Sequence, residues 1–212
     1  MRRISLAGLV FVMLFVLMYT TQGLSSDPCK TEIPKAKQLL EQGVDVNAGD
    51  EYQRTSLHYA AYCGETDLAA LLIQKGAGVS ARDYEQNTPL HMAVCGSVGH
   101  TRVAALLIQQ GADVNARNKY QDTPLLLAAG GDDAELVALL IQKDADINAR
   151  SKDLRTPLHE AVLGGNIKVV TQLIQKGADV NAHDENQETP VMLAEKSGRT
   201  ALATMLHKAG GR

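Results

Sequence analysis

A threonine recurs along this chain at almost constant spacing, at Thr55, Thr88, Thr123, Thr156 and Thr189, in steps of 33, 35, 33 and 33 residues. Each opens a similar tetrapeptide: Thr-Ser-Leu-His at 55–58, Thr-Pro-Leu-His at 88–91 and 156–159, Thr-Pro-Leu-Leu at 123–126, and Thr-Pro-Val-Met at 189–192. Twenty-one residues after each Thr (23 in the second unit) stands Gly76, Gly111, Asp144, Gly177 or Gly210. A fixed period of this size signals stacked supersecondary units instead of one closed globule. A stack has no obligatory pocket, so the expected function is binding along an extended face.

The fourth unit, residues 152–184, shows the local physics. Thr156 suits an N-cap, and Pro157 occupies the first helical position, where a missing N–H costs nothing. Leu158, Ala161 and Val162 follow at helical spacing until Gly164 and Gly165 break the helix. Val169, Val170, Leu173 and Ile174 form the apolar stripe of a second, antiparallel helix. Gly177 is placed to end it with a left-handed cap. In the third unit Asp144 takes that position, at a cost of about 1 kcal/mol relative to Gly. The second unit carries two extra residues between Cys95 and His100, which belong in a loop because inside a helix they would rotate the stripe.

The closing segments Gly-Ala-Asp-Val-Asn-Ala at 111–116 and 177–182, with the Thr-Pro-Leu-His openings, resemble the ankyrin repeat. The resemblance runs from about Ala36 to Gly210. It implies an all-α repeat solenoid of helix-turn-helix units joined by β-hairpin fingers, with five full repeats and an N-terminal half repeat. The corresponding divisions are a leader at 1–23, an N-terminal segment at 24–34 and a capping half repeat at 35–50. Full repeats then span 51–83, 84–118 (with the insertion), 119–151 and 152–184, and a C-terminal capping repeat spans 185–212. The polar residues Thr200, Thr204, His207 and Lys208 on the last helix suit the outer surface of a terminal repeat, and a finished short solenoid with no second domain is expected.

The first residues, Met1-Arg2-Arg3, precede an apolar run from Ile4 to Tyr19 and then small residues, the pattern of a secretory signal peptide. Cleavage near Gly23 is expected, with an uncleaved membrane anchor over Ile4–Tyr19 as the alternative. Without residues 1–23 the charge falls from −3 to −5, since two Arg leave. An acidic repeat domain is a poor match for phosphate backbones, so no nucleic-acid partner is expected. Both Phe residues lie in the leader and Trp is absent, leaving Leu, Ile, Val and Ala to build the core. Of Cys29, Cys63 and Cys95, an odd number for an oxidising compartment, the pair Cys29–Cys63 would tie the N-terminal segment to the first full repeat. Cys63–Cys95 is the alternative, and three unbonded buried side chains a third.

No nucleophile elbow, phosphate-cradling loop or metalloprotease motif is present. His58, His91 and His159 recur at one offset from the Thr, and the resemblance gives that His a structural role, tying one turn to the next. His58, Cys63, His91 and Cys95 could imitate a zinc set, but the His side chains are expected to be engaged already. Neither enzymatic activity, a cofactor, a metal nor a small-molecule substrate is therefore expected, and a protein partner for a monomeric scaffold is. Ankyrin proteins bind through fingers and first-helix positions. Carried onto this chain, those positions include Tyr52, Arg54, Tyr59 and Tyr62 in the first unit and Tyr84, Asn87 and Met92 in the second. Tyr120 and Leu127 follow in the third, and Arg155 and Glu160 in the fourth. All five aromatic residues after the leader fall among them, and Tyr is enriched at binding centres. The leading expectation is an exported protein-interaction module. A secreted effector acting on another cell's proteins, or a periplasmic accessory that protects an exported enzyme, are the alternatives.

Overall fold

The computed structural model describes residues 27–95 and 100–212. The leader at 1–23 and residues 96–99, where the two-residue insertion falls, lie outside the described residues. Eleven helices are described: α1 (Pro28–Glu41), α2 (Ser56–Tyr62), α3 (Thr66–Gln74), α4 (Pro89–Cys95), α5 (His100–Gln109), α6 (Pro124–Ala129), α7 (Ala134–Gln142), α8 (Pro157–Gly164), α9 (Ile167–Gln175), α10 (Pro190–Lys196) and α11 (Thr200–Lys208). From α2 onward they alternate as the first and second helix of each Thr-opened unit. First helices pack on first helices of the next unit, and second on second. The result is an all-helical repeat solenoid.

Sequence places each helix end. Thr123 and Thr189 accept from the N–H three residues on, and Thr55 and Thr156 form reciprocal boxes with His58 and His159. Asp133 and Asn166 cap α7 and α9. At the N-terminus the structure adds a helix that the sequence left unassigned. The segment assigned to 24–34 is largely helical, because α1 starts at Pro28 with the Asp27 side chain accepting from Cys29 N–H at 3.0 Å. Pro34 lies inside that helix, which therefore lacks one backbone donor.

The core is a file of leucines. Leu57, Leu90, Leu125 and Leu158 from the first helices, and Leu72, Leu107, Leu140, Leu173 and Leu206 from the second, are all fully buried. Alanines such as Ala60, Ala93, Ala129 and Ala161 let the first helices approach closely. Polar bonds staple the outer turns. Asn115 Nδ2 donates to the Asp144 carbonyl while its Oδ1 accepts from Asp146 N–H, and Asn47, Asn148 and Asn181 make the same pair of bonds one unit ahead of themselves.

The fingers are tight hairpin turns without strands beyond them. Among the described residues the only ladder contact is one isolated bridge between Gly49 and Thr55. Each finger is a five-residue loop, as at 83–87, where Asp83 N–H donates to the Asn87 carbonyl and Gln86 N–H to the Asp83 carbonyl. The Asp83 side chain takes the N–H groups of Glu85 and Asn87, so too few backbone groups remain for a ladder. Asp50, Asn118 and Asp184 do the same in their fingers. Successive fingers are joined by a single backbone bond, from Tyr84 to Tyr52, Lys119 to Glu85, Lys152 to Tyr120 and Glu185 to Asp153.

Asp144 holds φ at 62°, where Gly76, Gly111 and Gly177 sit near 90°. The left-handed region costs an L-residue about 1–2 kcal/mol, partly offset by the greater chain entropy that Gly loses on folding. Asp144→Gly is therefore expected to stabilise the protein by about 1 kcal/mol. A rise in the urea midpoint at unchanged m value would show it, and a fall would refute it.

Candidate protein-binding surface

The fingers and the first helices form one continuous face. Tyr84 stands at a fingertip with 64% of its surface exposed, and the Lys119 ammonium lies 5.3 Å from its ring centroid. Tyr120 occupies the next finger at 36% exposure. Tyr52, one finger earlier, is half-buried with the Arg54 guanidinium 5.4 Å from its ring. Tyr62, Leu127 and Glu160 are also half-buried. These six, with Leu154 at the fourth fingertip, are at least partly exposed.

Five other expected contact residues are buried and are corrected here. Arg54 and Arg155 precede the opening Thr, and their side chains turn into the seam between successive fingers. Arg54 Nε lies 3.4 Å from Asp83 Oδ2, and Arg155 Nε lies 3.8 Å from Asp184 Oδ2, with Arg155 Nη1 3.7 Å from Glu160 Oε1. Asn87 occupies the same seam, accepting from Asn118 Nδ2 at 3.0 Å. Met92 is 2% exposed among the first helices, and Tyr59 is buried with its hydroxyl donating to Asp50 Oδ2 at 2.5 Å. Their seam partners carried a signal in sequence: the position five before each Thr is always Asp50, Asp83, Asn118, Ser151 or Asp184, short side chains suited to closing a turn on their own backbone.

The histidines are structural links. Thr55 N–H donates to His58 Nδ1 at 3.1 Å, so Nδ1 is the acceptor and Nε2–H donates to the Asn87 carbonyl, also at 3.1 Å. His91 bonds Thr88 and the Asp122 carbonyl in the same way, and His159 bonds Thr156 and the Glu188 carbonyl. Each therefore ties a helix start to the finger of the following unit, with both ring nitrogens occupied. Cys63 is bonded to Cys29, so the imagined zinc set of His58, Cys63, His91 and Cys95 has no free ligand pair. Cys95 is a free thiol whose pKa burial pushes up to about 12, which keeps it protonated and unreactive at neutral pH. Among the described residues no three His, Cys, Asp or Glu side chains gather as a metal site, and no helix is long and apolar enough to cross a membrane.

Burial pushes His91 and His159 down to about 4, and His58 in the same direction. Protonation at Nδ1 would also set a proton against the Thr N–H. The stabilisation they confer is complete above pH 6.5 and is lost as pH falls through about 4. Asp122 works oppositely. Burial first, then Glu160 and Asp153, raise it to about 7, so its contribution is complete below pH 3.8 and is lost as pH rises through 7. His91 and His159 are expected to keep neutral Nε2–H ring shifts in NMR titration down to near pH 4. An inflection of either near 6.5 would remove this account.

Behind this face, between α1 and α3, an open groove of about 500 Å³ is lined by residues including Leu40, Leu68 and Leu71. Its rim charges, Lys37, Glu41, Glu65, Asp67 and Lys75, are of mixed sign.

A family model described as ankyrin repeats (3 copies) matches the chain over residues 29–118, 99–184 and 125–211. No curated protein matches it. Ankyrin repeats are protein–protein interaction modules and are in general non-enzymatic. Matched from Cys29 to Gly211, this chain belongs to the ankyrin-repeat family.

Proposed function

We propose that this protein is an exported, non-enzymatic scaffold that holds a protein partner against its fingers and first helices. The observation that carries the reading is the row of tyrosines at three consecutive fingers, Tyr52, Tyr84 and Tyr120, joined by backbone bonds between fingers. Among the described residues Tyr84 is the most exposed of the large apolar side chains, and an exposed aromatic on a rigid scaffold gives large contact area at low entropic cost.

Two features support export. The leader has a basic head and an apolar run. The bond between Cys29 and Cys63 suits an oxidising compartment. An effector role and an accessory role both remain within this reading, since each needs the same surface.

Tyr84→Ala with Tyr120→Ala is expected to weaken partner binding at least tenfold without changing the melting temperature by more than a few degrees. The partner is to be captured with the mature protein from its extracytoplasmic fraction and then titrated in purified form. Unchanged affinity in the folded double variant would sink the proposal. Intact mass of the recovered protein reports cleavage and disulfide state together.

A further inference from the structure

We propose that the segment this face receives is basic and amphipathic, with apolar side chains against Tyr84, Tyr120 and Leu154 and Lys or Arg side chains over Asp122, Asp153 and Glu160. This rests on the reading of the finger face as the binding surface and names the chemistry of its partner.

Charge is unevenly distributed. The five fingers (50–54, 83–87, 118–122, 151–155 and 184–188) hold nine carboxylates against four cations, whereas the whole chain is only −3. The fingers are thus net −5, which is the whole net charge of residues 24–212, and the rest of that span is net neutral. Two of the four cations, Arg54 and Arg155, are buried in the seams and already oppose Asp83 and Asp184. A third, Lys119, stands over Tyr84 and 3.6 Å from Glu85. With these three pairs set aside the fingers keep six carboxylates against one cation, an undiminished net charge of −5.

The carboxylates crowd at one place. Asp122, Asp153 and Glu160 come from two fingers and a first helix, and Arg155 is shared there between Glu160 and Asp184. Asp122 and Glu160 are both raised above their ordinary values, by burial first and then, with Arg155 pulling Glu160 down, by the neighbouring carboxylates. A cation brought by a partner would offset that repulsion. Beside the cluster, Tyr84, Tyr120 and Leu154 expose apolar surface on three consecutive fingers. Opposite charge beside an apolar row fits a segment that alternates basic and apolar side chains.

The test uses two labelled peptides on the full mature protein, (Lys-Leu-Arg-Val)3 and its counterpart (Glu-Leu-Glu-Val)3, followed by fluorescence anisotropy. The basic peptide is expected to bind at least tenfold tighter, and to weaken about tenfold between 50 and 500 mM salt. Asp122→Asn, Asp153→Asn and Glu160→Gln together, shape-preserving changes, are expected to abolish most of that preference. Equal affinity for the two peptides, or an unchanged preference in the triple variant, overturns the proposal. The outcomes also separate the two readings. A purified native partner that is lost with Tyr84→Ala and Tyr120→Ala but bound normally by the triple variant would leave the binding face standing and remove its basic ligand.

Discussion

Arg155→Ala is expected to destabilise the protein by about 3–5 kcal/mol, the range for removing one partner of a buried ion pair. The Arg155 side chain is 7% exposed and Asp184 is fully buried. With Arg155 gone, Asp184 and Glu160 lose the cation they share and keep their burial. Asp184 cannot simply be neutralised by rearrangement, because its Oδ1 accepts from the N–H groups of Asn186 and Glu188 and so holds the last finger. The deficit is expected to shrink as pH falls, since Glu160, already raised by burial, gains a proton more easily without Arg155. Arg155→Met paired with Asp184→Asn, which keeps the Oδ1 acceptor, is expected to recover more than half of the loss. Urea unfolding at pH 5 and 8 measures each point. A loss below 1 kcal/mol for Arg155→Ala would show the seam charges to be well solvated.

Removing the bond between Cys29 and Cys63 is expected to cost about 3–4 kcal/mol, from the chain entropy of a loop of this length. The two residues are 34 apart in sequence with Cα atoms 5.5 Å from one another. The bond joins the first turn of α1 to the residue that caps α2. It matters locally because α1 buries little of its own: only Ile33 and Ala36 are buried residues along its fourteen. In a stack whose units contact only their neighbours, the end unit opens first. Cys29→Ser is therefore expected to raise amide exchange across α1 far more than in α6 or α8. Protection of α1 equal to that of the central helices in the Ser variant would mean that packing alone holds it.

The period, the helix starts and the leucine file were legible in the chain because each depends on residues within a turn or two. Thr156, Pro157 and Leu158 specify a cap, a first turn and a core contact without reference to anything distant. That each finger stops at a single tight hairpin turn was not legible, because it depends on the Asp83 and Asn118 side chains taking N–H groups within the loop. The exposure of the proposed contact residues was half legible. Offsets from the Thr placed Tyr84 and Tyr120 at exposed fingertips, yet Arg54, Asn87 and Arg155 proved to be seam residues.

What the sequence determined by itself was the repeating unit, since capping, helical periodicity and left-handed turns are short-range effects of side-chain chemistry. What the tertiary structure alone decided was which of those repeated positions meets solvent. Arg54 is covered by Asp83 and Arg155 by Asp184, each 29 residues further on, and Tyr84 is left uncovered at its fingertip. Exposure is a property of the neighbouring unit, set by how closely the next finger approaches, and no residue carries that information alone.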